Sequence, residues 1–382
     1  MNYMLEQIHS LPDLIHQIVE SLEDTIQQKI DKDLCTSLER LYVVGCGDSH
    51  HAALSTQLAF RSLTDLPIEP MTSMQFARYT AGFIPQNRSG KNVVIGISVS
   101  GAVARTAEAL RMGKRAGALA VALTAAPDSA VGKEADLILD VPVPDFPIPV
   151  DMVIPGVRSY LTSQVALTLL AIHIGAMRGN LTGTETAAYR KQIMAFGDLI
   201  QQTIAACEPI VEKTAQDWVQ EDEFVFTGSG PNYATALFNA AKIVEASGDS
   251  ALGQDIEEWA HLQYFAKKVG TPTFLISAGE RDLSRASEIA IAARQIGRKT
   301  AVVCPKSVVS LIKFAHYYFP IPQVEEMFSP LLASIPGELF SAYLAEKKNE
   351  PYFRDFQGGR DKEGGGGISR IRTSEMWKEW MK

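Results

Sequence analysis

Cysteine is scarce in this chain. Only Cys35, Cys46, Cys207 and Cys304 occur in 382 residues, and no two form a CxxC pair. That argues against a disulfide framework or a thiolate zinc site and fits reduced thiols in the cytoplasm. Positive charge is short as well: 36 Lys and Arg stand against 44 Asp and Glu, a net charge of −8, with no Lys/Arg-rich run. A nucleic-acid partner is not expected from such a balance. Long apolar runs are missing too. Tyr160 to Met177 is interrupted by Thr162, Ser163, Gln164, Thr168 and His173, short of the roughly 20 apolar residues that a membrane span requires. The opening MNYMLEQ has neither a basic nor an apolar leader pattern, so no secretory signal and no membrane partner are expected.

What is present is ordinary globular composition, 46% hydrophobic and 21% charged, enough for two domains of roughly 150 to 200 residues. Leu5, Ile8, Leu11, Ile15, Ile18, Val19, Leu22, Ile26 and Ile30 fall at helical spacing, with Pro12 marking a break. Residues 1–30 therefore read as a helical leader. Short apolar runs follow at 41–45, 68–71, 93–98, 118–124 and 137–142, alternating with helical patterns. Runs without polar interruption suit strands covered on both faces, and the helices between them suit βαβ crossovers. A second series, at 223–228, 272–277 and 300–305, has the same texture. At an offset of 183 residues Gly45-Cys46-Gly47 falls on Gly228-Ser229-Gly230, and Ile97-Ser98-Val99-Ser100-Gly101 has a shorter counterpart in Ile276-Ser277-Ala278-Gly279. The fold expected is α/β: two tandem doubly wound parallel-sheet domains with helices on both faces. Residues 31–180 form the first domain, 181–220 connecting helices, 221–345 the second domain, and 346–382 an extended, partly flexible glycine-rich arm.

Two glycine and serine turns end strands of the first domain, GCGDSHHA at 45–52 and ISVSGAVART at 97–106. In an open α/β sheet that edge receives ligands. Gly47 and Gly101 let backbone N–H groups approach an anion, helix N-termini add partial positive charge, and Ser49, Ser98, Ser100 and Thr106 offer hydroxyls. Tight turns with serine caps alone would give a similar pattern. Neither turn fits GxGxxG with a following acid, nor the phosphate loop of NTPases, so no nucleotide or nicotinamide cofactor is expected. His50 and His51 follow the first turn and read mainly as packing residues.

These paired turns, with the second copy TGSGPNYATAL, resemble the tandem sugar isomerase (SIS) family. The likeness is to the isomerase half of glutamine:fructose-6-phosphate aminotransferase and to fructosamine-6-phosphate deglycases, over roughly residues 30 to 345. The resemblance implies a flavodoxin-like fold, a sugar-phosphate or ketosamine substrate held by Gly47, Asp48, Ser49, Ser98, Ser100 and Gly101, and a homodimer or dimer of dimers with shared sites. It assigns Lys242 and Glu245 of AAKIVEASG, and His261 of EEWAHLQ, to catalysis. Glu245 would shuttle the proton between carbons 1 and 2, while His261, given by a neighbouring subunit, would assist ring opening. Solvated helix faces would explain the same residues without chemistry. Asp255, Glu257 and Glu258 precede His261, but no second histidine follows at i+4, so no metal is expected.

Departures from the family pattern narrow the reaction. Asp48 stands where the family has Ser or Thr, Val103 where it has Thr, and Phe238 where it has a further acid. A carboxylate beside a phosphate costs on the order of a kcal/mol at an effective dielectric near 20. The chain enters the repeat within about 40 residues, so neither a glutaminase nor a helix-turn-helix domain is expected ahead of it. Its tail carries Arg370 and Arg372 where the aminotransferase has a lysine. A deglycase or deaminase is therefore expected, with an aldose-ketose isomerase or a non-catalytic sugar-phosphate sensor as the alternatives.

Overall fold

The computed structural model describes residues 2–85, 91–149, 152–358, 360 and 367–380. The chain divides into two compact units. The first comprises Ile15–Asp145, Ser159–Met194 and Phe356–Lys382; the second comprises Met1–Leu14, Phe146–Arg158 and Ala195–Asp355.

The first unit holds β1 (Leu38–Gly45), β2 (Ile68–Thr72), β3 (Lys91–Ile97), β4 (Leu119–Thr124) and β5 (Leu137–Asp140). All pair in parallel, in the order β2-β1-β3-β4-β5. Valine, isoleucine and alanine dominate β3 and β4 because helices cover both faces, and every residue of β3 after Lys91 is buried. Tyr42, Val44, Phe76, Val94, Leu110 and Ala120 form one core layer under the helix Ala104–Arg115.

The helix Arg158–Arg178 has the length and hydropathy of a membrane span, yet 89% of its most apolar window is buried within the protein. Most of its polar interruptions find partners there, Thr162 Oγ1 being buried without one among the described residues. Ser163 and Thr168 donate to carbonyls one turn back, Gln164 donates to Ser55 Oγ at 3.0 Å, and His173 Nε2 meets the Ile30 carbonyl at 2.7 Å. This is a core helix of the α/β unit.

The second unit holds β6 (Glu223–Gly228), β7 (Ser250–Asp255), β8 (Pro272–Ile276), β9 (Lys299–Pro305) and β10 (Tyr317–Ile321). Its order, β10-β9-β8-β6-β7, is the order of the first sheet read from the other edge. Both sheets thus follow the flavodoxin-like 2-1-3-4-5 winding. Phe226 stacks on Phe274 at 4.3 Å between centroids, with Trp218 and Phe340 against the same ring.

Two expectations need correction. Neither β7, which carries no continuous apolar run, nor β10, in which Tyr317, Tyr318, Phe319 and Ile321 flank Pro320, is among the strands expected. The tail is more than an extended arm: it forms short helices at Ile368–Thr373 and Trp377–Trp380, and Trp377 is buried. Most of its glycine run lies outside the described residues. In the leader, helices Tyr3–His9 and Leu11–Lys29 meet at Ser10, and Pro12 sits in the first turn of the second, where its missing N–H costs nothing.

Candidate functional site

In the first unit β1 and β3 are neighbours, and the chain leaves them toward opposite edges of the sheet. Their C-terminal ends therefore flank the switch point at which open α/β sheets receive ligands. At the end of β1, Gly45 allows the helix Asp48–Ser55 to seat tightly: a Cβ there would come within 2.7 Å of the Ser49 backbone. Gly47 caps that helix at φ +56°, a conformation that favours glycine. Asp48 is the first helical residue, its carboxylate near the positive end of the helix and 3.8 Å from His51 Nδ1. Ser49 is half-buried beside it. Burial holds the half-buried His50 imidazole below its ordinary pKa.

At the end of β3 the Ser98 carbonyl accepts the Gly101 N–H at 2.9 Å, and Gly101 turns at φ +65°. Ser98 is buried and its hydroxyl has no hydrogen-bond partner among the described residues. Ser100 is exposed, with Oγ accepting the Ala102 N–H at 3.4 Å. Val103 caps the next helix without a side-chain bond, which leaves its first-turn N–H groups uncapped by a side chain. The arrangement offers an anion a helix N-terminus, a glycine turn and an idle hydroxyl. Thr106 does not join it: it is fully buried and bonded to Ser73 Oγ at 3.1 Å.

The proton-transfer candidates lie in the second unit, on the helix Pro231–Ala246. Phe238, Lys242 and Glu245 follow at i, i+4 and i+7 and so share one face. Lys242 is wholly buried. Its ammonium donates to Glu245 Oε2 at 2.5 Å and to the Gly156 carbonyl at 3.5 Å, and lies 4.8 Å from the centre of the Phe238 ring. The position at which the family has an acid is thus filled by an aromatic face under the same lysine, a cation–π contact. The Glu245 side chain keeps 23% of its surface exposed. Arg354, a residue the sequence did not single out, donates to the last carbonyls of this helix at Glu245 and Ala246.

His261 ends the helix Ile256–His261 and is exposed, its ring 3.0 Å from Glu257. Glu257 is held below the usual carboxylate range by Arg285 and then His261. Asp255 caps that helix and also accepts from Ser229 Oγ at 2.9 Å. Among the described residues no group of three or more His, Cys, Asp or Glu side chains is placed to hold a metal. Gly47, Asp48 and Ser49 thus lie beside Ser98, Ser100 and Gly101 on adjoining strand ends, and Lys242 touches Glu245.

Residues 36–173 match the family model of the SIS domain. This stretch is a SIS domain. The SIS-containing chain is 26% identical over 356 residues to glutamine–fructose-6-phosphate aminotransferase (isomerizing) of Gloeobacter violaceus, covering 91% of this chain and 56% of that one. The enzyme of that name from Aquifex aeolicus is 27% identical over 355 residues. The chain spans about half the length of these curated relatives. Among solved structures, the C-terminal domain of glucosamine-fructose-6-phosphate aminotransferase from Francisella tularensis superposes with a TM-score of 0.76, covering 91% of this chain and 96% of that one at 18% identity. Glucosamine-6-phosphate deaminase from Thermotoga maritima gives 0.64 over 92% and 96% at 18% identity. The second SIS-like sheet lies beyond the matched residues, and its fold repeats the first by strand order and by Gly230, whose φ of +56° equals that of Gly47.

Proposed function

We propose that this chain is an enzyme acting on phosphorylated ketosamines or amino sugars, of deglycase or deaminase type. The Lys242–Glu245 pair carries the reading. A buried ammonium holds a partly exposed carboxylate in place, which suits a base that takes a proton from carbon and returns it. The switch-point turns supply the phosphate contacts, with Gly47, Ser49, Ser98, Ser100 and Gly101 as donors.

In this reading Glu245 removes a proton from carbon 1 of an open-chain 1-amino-1-deoxy-ketose; the C–H electron pair forms the C1–C2 double bond as the C2=O π pair moves onto oxygen, which takes up a proton to give an enolamine. The proton on Glu245 then passes to carbon 2 on the C1–C2 π pair while the nitrogen lone pair forms the C1=N bond and the nitrogen gives up its proton, leaving a hydroxyl at carbon 2 and an imine at carbon 1. Water adds there, the C–N bond breaks with the nitrogen taking a proton, and an aldose and free amine result. Lys242 orients Glu245, and His261 of a second subunit opens the ring in a homodimer or dimer of dimers. A panel of ketosamines, phosphorylated and not, assayed for aldose phosphate and amine tests the reading. Amine release confined to phosphorylated members supports it. Interconversion of aldose and ketose phosphates without amine release would make the chain an isomerase, and binding without turnover a sensor.

A further inference from the structure

A cavity of about 460 Å³ is walled by Arg78, Arg105, Ile371, Ser374, Met376 and Trp377, none of them a residue of the two switch-point turns. The C-terminal segment supplies four of these six walls. The two guanidiniums converge on one carboxylate: Arg78 Nε donates to Glu108 Oε1 at 2.9 Å, and Arg105 lies 2.5 Å from Glu108 Oε2. Glu108 is only 1% exposed. Arg105 also donates to the Ser374 carbonyl at 2.9 Å. Two cations against one carboxylate leave a net +1. Two cations beside Trp377 are paired elsewhere, Arg111 with Glu134 and Lys378 with Glu375.

The side-chain chemistry of this wall is dominated by donors. Each guanidinium has five N–H groups, more than these contacts consume. Trp377 is buried, with Arg111 stacked 4.8 Å from its ring centre, and its indole N–H is buried without an acceptor among the described residues. Buried N–H groups are rarely left so. A net positive wall with an idle buried donor suits an oxyanion, and arginine forks match phosphate and carboxylate geometry.

We propose that this cavity binds the phosphate or carboxylate group of a small molecule, and that the bound anion fastens the C-terminal segment to the helix Ala104–Arg115. Because Arg105 lies two residues beyond Val103, the same helix that begins at the switch point would sense occupancy. Nitrogen-15 spectra of the full chain test this, since its four tryptophans give few indole signals and Trp377→Phe identifies the one concerned. Titration with inorganic phosphate, and separately with acetate, should move the Trp377 signal saturably with at least one of them. The anion that does so identifies the group. Arg105→Gln, which leaves Arg78 on Glu108, should weaken the midpoint at least tenfold, whereas Ser98→Ala should leave it unchanged. A Trp377 signal that stays still with both anions to tens of millimolar overturns the proposal. So does an unaltered midpoint in Arg105→Gln, or one that follows Ser98→Ala, which would place the anion at the switch point instead.

Discussion

At the scale of single residues, Glu245 and Asp48 are the sharpest tests. Glu245→Gln keeps shape and hydrogen-bonding reach but removes the proton acceptor, so turnover should fall by about 10²- to 10⁴-fold while ligand affinity holds. It also strips the buried Lys242 of its carboxylate, and losing one partner of a buried pair costs about 3 to 5 kcal/mol. A lowered thermal midpoint should accompany the kinetic loss, and a variant with lost stability but normal turnover would move the base elsewhere. Asp48→Ser removes a negative charge from the β1 turn and should tighten a phosphorylated ketosamine several-fold, on the order of 1 kcal/mol. Calorimetry with a matched phosphorylated and unphosphorylated pair reads this directly; weakened binding of both would make Asp48 a ligand contact. The turns after β1 and β3 were legible in sequence because glycine and serine clustered at the end of an apolar run mark a tight strand-to-helix turn. Thr106 misled because a hydroxyl near a turn looks the same in sequence whether it faces solvent or, as here, Ser73. What surrounds Lys242, from Phe238 to the distant Gly156, depends on tertiary packing that spacing along one helix cannot reveal.

Among elements, the helix Leu283–Ile296 begins under unusual electrostatics. Asp282 is its N-terminal cap, accepts from Ser277 Oγ at 2.8 Å, and is only 8% exposed. Burial raises its pKa to about 6, with Glu326 and Asp255 pushing the same way and the Ser277 bond pulling back. A carboxyl whose folded pKa exceeds its unfolded value stabilises fully below about pH 4, and that contribution disappears as pH rises through about 6. Asp282→Asn should therefore raise stability at pH 7 to 8 relative to the native chain, by about 1 to 3 kcal/mol. The advantage should shrink toward zero near pH 4, as read from denaturant midpoints across that range. A pH-independent difference would mean the effect is packing. The central strands were readable because both faces are covered. The missed strands, β7 with Ser250, Gly253 and Gln254 and β10 with Pro320, are the two edges of their sheet. At the edge β7 meets water and lacks the apolar run that marks a central strand, whereas β10 is apolar but holds Pro320, which reads against a strand in sequence and which an edge strand tolerates.

For the whole molecule, a shared site makes a quantitative demand. If Glu245 and His261 come from different subunits, mixing inactive Glu245→Gln and His261→Ala proteins under exchange should restore about a quarter of native activity, since half of the dimers are mixed and each has one intact site. No recovery on proven exchange would place both groups in one subunit. The division of the chain bears on something else, the order in which it can fold as it is made. One unit uses residues up to 14, then 146–158, then 195–355, and the other draws on 15–145, 159–194 and the stretch beyond 355. Synthesis commonly lets an N-terminal domain fold while the next is still being made. Here the first sheet is translated early but waits for the chain beyond residue 355 to complete its unit, and the second waits almost as long. Ribosome-bound chains stopped at residue 180 should remain protease-sensitive throughout, so acquisition of structure in this protein is a late event rather than a domain-by-domain one.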